Sequence, residues 1–420
     1  MKARERHGFL LLLAMVLGLS LLIDPGVSRA ADKTPIRIAH VGATSGIFSS
    51  LGVGGKQAVE IWEGMVNAKG GILGRPVKVM YYDTGAKPAN GIEMLKKAVY
   101  EDKADFIIST DSSGVVLASY PIMKELKKVY ISGTGAAEDM QNTTNRYCFH
   151  ASHSSRTFGY AMAKLLHEKY PNIRKVIGVN PDYAWGRAVW AAFKTAFRKF
   201  QPAAEFPLEL WPPFGTLDFK PYISQIMALG DLKQYAIHTS LWAGDQVTFD
   251  KQGKAFGMFD KIGVFLDDSS TNLAVEMALG ADGVTGWGTS HYSYIYNSPS
   301  NREFVKAWQT KYGKTSLPTS AAGGTYRACQ FLQAAIAKAG KVDTDAVIKA
   351  LEGLHLNDTV SGPSYIREWD HIVITAMILG EAAKDPRYPF FTWKNPYIIK
   401  AEDVEKIIPK EEFKGWRGNQ

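Results

Sequence analysis

Between residues 36 and 132, short apolar runs alternate with amphipathic stretches, and the runs end in turns of Gly, Ser and Thr. Residues 36–41, Ile-Arg-Ile-Ala-His-Val, read as a strand entering the turn 42–46. Ala58, Val59, Ile61, Trp62, Met65 and Val66 then fall at helical spacing, and Gly70-Gly71 closes that helix. Val77, Val79 and Tyr81 alternate as a second strand, and 92–100 reads as a second amphipathic helix. A third strand is expected at 105–109, a helix from there to about Lys127, and a fourth strand at 129–132. Pro121 falls inside that helix and is expected to kink it or delay its start. Strands and helices alternating at this spacing make right-handed βαβ units around a parallel sheet. Such sheets bind ligands beyond the carboxyl ends of their strands, where the turns 42–46, 83–86, 109–114 and 132–136 lie.

The third of these turns has the most chemistry in it. Ser112-Ser113-Gly114 stands between a buried strand and a helix. The first N–H groups of a helix lack intrahelical partners and carry the positive end of its dipole, so an anion is stabilised there without a charged side chain. Ser112 and Ser113 can add hydroxyl donors, and Gly114 lets a ligand approach the backbone. Two serines alone would more commonly be read as a helix cap. Ser45, in the first turn, adds a further candidate hydroxyl at the same edge.

The pattern repeats from about Ala151, with helix 157–170, strand 175–180, loop 181–186 and helix 187–200. Helix 222–229, strand 235–238, loop 239–244 and the run 263–266 continue it, ending at Asp267-Asp268-Ser269. After Trp287 come an aromatic loop, a helix at 302–312 and a long helix at 319–339, and the chain closes with a strand-like run at 372–379. The expected fold is α/β, with two Rossmann-like lobes built on parallel sheets and joined by a crossover hinge. The expected organisation is a leader at 1–30, one lobe from 31–150 and 289–361, and a second from 151–288 and 362–420.

The N-terminus carries Lys2, Arg4 and Arg6, an apolar run from 9 to 23, and Ser28-Arg29-Ala30 at a signal-peptidase pattern. At 15 residues that run is short of the roughly 20 a membrane span needs, so it reads as a secretory signal cleaved after Ala30. No cysteine near the cut could take a lipid, which points to a periplasmic protein and not a lipoprotein. Removing 1–30 takes away four basic and two acidic residues, so a formal charge of +8 becomes +6. The remaining charges are interspersed, which gives no reason to expect a nucleic-acid partner. Two cysteines, Cys148 and Cys329, allow one disulfide or two buried thiols and exclude a disulfide framework.

Several motifs together resemble the type I periplasmic substrate-binding proteins of ABC transporters, in the leucine/isoleucine/valine-binding branch. They are Gly42-Ala43-Thr44-Ser45-Gly46, the run 67–74 (Asn-Ala-Lys-Gly-Gly-Ile-Leu-Gly), Tyr82-Asp83-Thr84, Ser112-Ser113 before a helix, Ile131-Ser132 before a Gly-rich turn, and Tyr183-Ala184-Trp185-Gly186. The resemblance implies a monomer that captures a small ligand between two lobes and hands it to an inner-membrane ABC permease. It places a ligand carboxylate on Ser112 and Ser113, an ammonium near Gly135, Ala136 and Thr134, an acidic partner for that ammonium at Asp268, and aromatic cover at Trp185 and Trp242. The implied ligand is first a branched-chain or other hydrophobic amino acid. An aromatic or aliphatic carboxylate, or an amide, lacking the amine is the alternative, because Asp111 precedes the serine pair and Trp287, His291, Tyr292, Tyr294 and Tyr296 add an unusual number of rings. A ligand-sensing protein for a receptor would use the same cleft.

Other chemistry finds less support. Gly52-Val53-Gly54-Gly55-Lys56-Gln57 departs from a phosphate loop in its glycine spacing and has Gln57 where magnesium would need Ser or Thr. His150 and His153 lack a second pair of metal ligands nearby, so neither metal nor cofactor is expected. An enzyme would have to use Asp111 and Asp268 as a carboxylate pair across the cleft, and none is expected.

Overall fold

The computed structural model describes residues 33–46, 48–136, 145–269 and 272–407. The expected leader at 1–30 lies outside them. Five strands form the first sheet: β1 (Ile36–Gly42), β2 (Val77–Asp83), β3 (Phe106–Thr110), β4 (Tyr130–Ser132) and β5 (Cys148–His150), in the order β2-β1-β3-β4-β5. All its pairings are parallel. Because side chains alternate along a strand, β1 sends Ile36 and Ile38 to one face and Ala39 and Val41 to the other, and β3 splits Phe106 and Ile108 from Ile107 in the same way. The first face is covered by α1 (Ser49–Ala68) through Val59 and Trp62. The second is covered by α2 (Pro88–Lys96) and α3 (Ser113–Leu126) through Leu95, Tyr120 and Met123.

One sequence feature finds its role here and one expectation changes. The glycines at 52, 54 and 55 lie inside α1, and a Cβ on Gly55 would stand 2.2 Å from the Thr110 side chain, so they serve close packing of helix on sheet. Helix α3 runs through Pro121 without ending, starting at Ser113. Pro121 is on the exposed side, where water can take the carbonyl its missing N–H leaves, while Val116, Tyr120 and Met123 hold the other side in the core.

The second sheet has seven strands in the order β15-β14-β10-β9-β8-β6-β7. Its parallel part is β6 (Lys175–Val179), β7 (Glu209–Leu210), β8 (Tyr235–Thr239), β9 (Val264–Asp267) and β10 (Trp287–Ser290). The strands β14 (Met377–Lys384) and β15 (Phe391–Ile399) join antiparallel at one edge, a hairpin the sequence reading did not separate from the run 372–379. The helices α4 (Ser155–Lys169) and α5 (Ala184–Phe200) bury Phe158, Leu166, Trp190 and Phe193 on one face of this sheet. On the other, α6 (Lys220–Met227) and α7 (Ala243–Ala255) bury Ile223 and Phe249. Next in the chain is the short helix α8 (Asn272–Leu279).

After β10 the chain returns to the first sheet, where α9 (Pro299–Tyr312) and α10 (Ser320–Ala339) pack Phe304, Phe331 and Leu332 into the same core as Trp62. Next come α11 (Thr344–Leu351), a small antiparallel sheet of β11 (His355–Thr359), β12 (Gly362–Ile366) and β13 (Val373–Ile374), and the entry into β14. Among the described residues, three connections thus run between the halves, near 151–154, 291–298 and 373–376. Cys148 and Cys329 are buried free thiols, which settles the alternative left open by the sequence. Among the described residues, no helix is long and apolar enough to cross a membrane.

Candidate functional site

The carboxyl ends of the two sheets face a common cavity of about 500 Å³, part of it open to solvent. From the first half it is lined by Leu51, Asp111, Ser112, Ser113, Thr134, Gly135 and Ala136. Tyr183, Trp185, Trp242 and Ser269 line it from the second. Ser152, His291, Ser320 and Ala321 complete it near the connections.

Among the described residues, four helices begin at this cavity. Ser112 caps α3, Tyr183 precedes α5, Trp242 precedes α7, and Ser320 and Ala321 are the first residues of α10. Each brings the positive end of its dipole and first-turn N–H groups to the same space, while no Lys or Arg among the described residues lines it. An arrangement of this kind stabilises an anion by main-chain donors and hydroxyls. Ser113 is buried, and its Oγ accepts a 3.2 Å bond from the Ala136 N–H, which ties the third turn to the fourth.

Among the described residues, Asp111 is the one carboxylate on the lining. It accepts a 2.5 Å bond from the Thr84 hydroxyl and a 2.7 Å bond from the Ser112 N–H. Burial outweighs those two bonds and pushes its carboxyl up to about 6. The folded value lies above the ordinary one, so the folded chain holds this proton more tightly than the unfolded chain; the stability it contributes is present at low pH and lost as pH rises through about 6. The ionised form repels an anion in the cavity. Affinity for a carboxylate is therefore expected to fall roughly fivefold between pH 5 and 7.5, and to stay flat in Asp111→Asn, by calorimetry across that range. His291, also on the lining, is held neutral by burial and by the nearby Arg327 and does not titrate there.

The remaining expected residues divide. Ser112, Ser113, Thr134, Gly135, Ala136, Trp185 and Trp242 are brought together on one cavity. Of these, Thr134 already gives its hydroxyl proton to the Asp111 carbonyl at 2.8 Å, and the Ala136 carbonyl takes the Ser155 N–H at 2.6 Å. Trp185 donates to the Ser240 carbonyl at 3.0 Å, and Trp242 to the Tyr183 hydroxyl at 2.6 Å, so both rings are held in place. Ser45 is exposed, is not on the lining, and its N–H binds Asp83.

Asp268 is also off the lining. It is fully buried behind it, 3.2 Å from His238 Nε2 and accepting a 2.6 Å bond from Thr289, and its neighbour Ser269 takes the cavity position. Asp268→Asn is accordingly expected to cost about 1 kcal/mol in a denaturant melt and to leave ligand preference unchanged. With Asp268 turned away, the carboxylate pair that an enzyme would have needed is not formed across the cavity.

Leu51, Ser152, Tyr183, Ser269, Ser320 and Ala321 were not anticipated from sequence, whereas His291, one of the rings noted there, does reach the lining. Tyr183, Ser320 and Ala321 had a readable signal, each standing at a helix start that follows a strand or loop. Leu51 and Ser152 had none, since they reach the cavity only through the packing of the halves.

The fold is shared with known proteins. Residues 35–386 match the model of the family described as periplasmic binding protein. The chain belongs to that family. A Leu/Ile/Val-binding protein homolog from Brucella melitensis is 23% identical over 404 residues, which are 92% of this chain and 91% of that one. Among solved structures, the solute binding protein of an ABC transporter from Rhodopseudomonas palustris, in complex with 3,4-dihydroxybenzoic acid, superposes with a TM-score of 0.77 at 20% identity, covering 87% of this chain and 98% of that one. A leucine binding protein from Thermotoga maritima superposes with a TM-score of 0.74 at 20% identity, covering 88% and 99%. The two α/β halves of this periplasmic binding protein are therefore those of the type I architecture.

Proposed function

We propose that this protein is the periplasmic solute-binding component of an ABC importer and captures a small carboxylate-bearing ligand by closure of its two lobes. The observation that carries this reading is the convergence of four helix N-termini on one cavity that, among the described residues, has no cationic side chain on its wall. The carboxylate sits on the Ser112–Ser113 turn, where the first lobe offers main-chain donors and hydroxyls, and Tyr183, Trp185 and Trp242 of the second lobe close over the rest of it. Closing excludes water and strengthens each polar contact. No covalent step is called for, and the closed form is what an inner-membrane permease recognises.

The lobes are taken as 31–150 with 289–361 and 151–288 with 362–420, after a leader at 1–30, and the working form is a monomer. Between the two ligand classes, Asp268 favours an acid lacking an amine. A zwitterion needs an available carboxylate opposite the serine pair, and Asp268 is committed to His238 and Thr289. The lining rings fit an aromatic or apolar body on that acid. Solved relatives include proteins in complex with 3,4-dihydroxybenzoic acid and 4-hydroxybenzoate as well as an amino acid transporter protein, so both classes belong in the test. A thermal-shift screen against hydroxybenzoates, aliphatic carboxylates, the matching amides and the amino acids provides it. A ligand at a hundred times its Kd stabilises by about 2.7 kcal/mol. Benzoates or aliphatic acids are expected to shift the melt; a shift by leucine, isoleucine and valine alone would return the reading to amino acids, and no shift by any carboxylate would end it.

A further inference from the structure

Arg327, on the second turn of α10, is fully buried and meets no carboxylate among the described residues. Its guanidinium serves the connections between the lobes instead. Nη2 donates to the Ala151 carbonyl in the first connection. Nη1 donates to the His291 carbonyl in the second at 2.9 Å, and to the Ser361 hydroxyl at 2.6 Å. Ser361 passes the contact on: its hydroxyl donates to the same His291 carbonyl at 3.0 Å, and its own carbonyl accepts from Thr375, in the third connection, at 3.2 Å.

A buried cation with only neutral acceptors is costly, and burial draws this guanidinium down to about 9. A planar fork of donors is also the one side chain that can reach several chain segments at fixed angles, which a lysine ammonium on a flexible stem cannot. The acceptors are main-chain carbonyls of segments that themselves reach the ligand cavity: Ser152 follows Ala151, and His291 is both acceptor and lining residue. Two close approaches keep the same region compact. A Cβ on Gly324 would stand 2.3 Å from the Gly133 carbonyl, and one on Gly323 would stand 1.9 Å from the Tyr292 ring, so α10 lies tight against the cavity turn and the second connection.

We propose that Arg327 is the positioning residue of the hinge: it pins the three connections at one spacing, and the lobes turn about that pin with Ser152 and His291 kept in register with the ligand. The proposal rests on the lobe-closure reading given above, but its test needs no ligand, so it can fail or stand separately from the choice of ligand. Spin labels are placed at Lys87→Cys on the first lobe and Lys220→Cys on the second, both exposed, while Cys148 and Cys329 are buried and stay unlabelled. The distance distribution between labels is measured by pulsed electron resonance, alongside hydrogen exchange.

With Arg327→Met the distribution is expected to broaden at least twofold, and amide exchange to rise at least tenfold at 151–154, 291–298 and 373–376 while β1 and β3 keep their protection. Arg327→Lys, which retains the charge and one donor point, is expected to restore part of the width. Should Arg327→Met not fold, Ser361→Ala removes one leg of the pin and is expected to broaden the distribution to a smaller degree with the same local exchange. A folded Arg327→Met or Ser361→Ala with the width of the unsubstituted protein overturns the proposal, as does exchange that rises evenly through both sheets.

Discussion

Ser112→Ala combined with Ser113→Ala is expected to weaken capture of a carboxylate by ~1–3 kcal/mol, roughly 5- to 150-fold in Kd by calorimetry. The range follows from what each hydroxyl does. Ser112 Oγ accepts from the Val115 N–H at 3.5 Å as the cap of α3, so its loss frees a backbone donor at the anion position and also frays the helix start. Ser113 Oγ holds the Ala136 N–H, so its loss loosens the neighbouring turn as well as removing a hydroxyl from the ligand. The first-turn N–H groups of α3 remain in the double variant, which is why binding is expected to weaken and not vanish. The cap contribution, about 1 kcal/mol of stability, shows separately in a melt without ligand. Equal Kd values for the double variant and the unsubstituted protein would move the carboxylate to another of the four helix starts.

Phe48→Ala is expected to speed ligand release by roughly 10- to 100-fold while changing the association rate far less. Phe48 stands just before α1 on the first lobe. Its ring stacks on Phe214 at 4.8 Å with planes 5° apart and lies 4.3 Å from Trp242, both on the second lobe. Phe214 in turn meets Trp242 at 5.4 Å and Tyr183 at 5.7 Å, so one ring from one side closes a group of three from the other. Ring pairs of this kind are worth about 0.5–1.5 kcal/mol each beyond the area they cover, and alanine removes two of them at the lip of the cavity. These contacts exist only when the lobes are together, so their loss falls on the closed state and appears as faster opening. Stopped-flow tryptophan fluorescence reads it directly, since Trp242 is part of the group. An unchanged release rate would mean that the lip does not hold the closed form.

The alternation of strand and helix was legible because its two periods are written in single residues: Ile36 and Ile38 against Ala39 and Val41 on a strand, Val59 and Trp62 along a helix. The serine pair was legible for the same reason, as polar residues stranded between a buried strand and an apolar helix. Asp268 shows where that legibility ends. Side chains alternate faces along an extended chain, so a shift of one residue exchanges Asp268 and Ser269 between the core and the cavity, and nothing in the local pattern fixes which. Pro121 illustrates a local rule overridden by packing, since one face of α3 is buried and the proline lies on the other. Phe48 meets rings more than 160 positions further along the chain, and the Arg327 guanidinium bonds the Ala151 carbonyl 176 positions away. Such pairs leave no periodic trace and belong to the meeting of the lobes.

The central claim is that an anionic head group is held at the Ser112–Ser113 turn by main-chain and hydroxyl donors. Titrating the protein by calorimetry with the acid that gives the largest thermal shift, and with the methyl ester of that same acid, tests it most directly. The ester keeps the ring or chain and removes the charge, so it is expected to bind at least about 100-fold more weakly, a difference of about 2.7 kcal/mol. An ester that binds as tightly as its acid would contradict the account, because the cavity would then be selecting the apolar body alone.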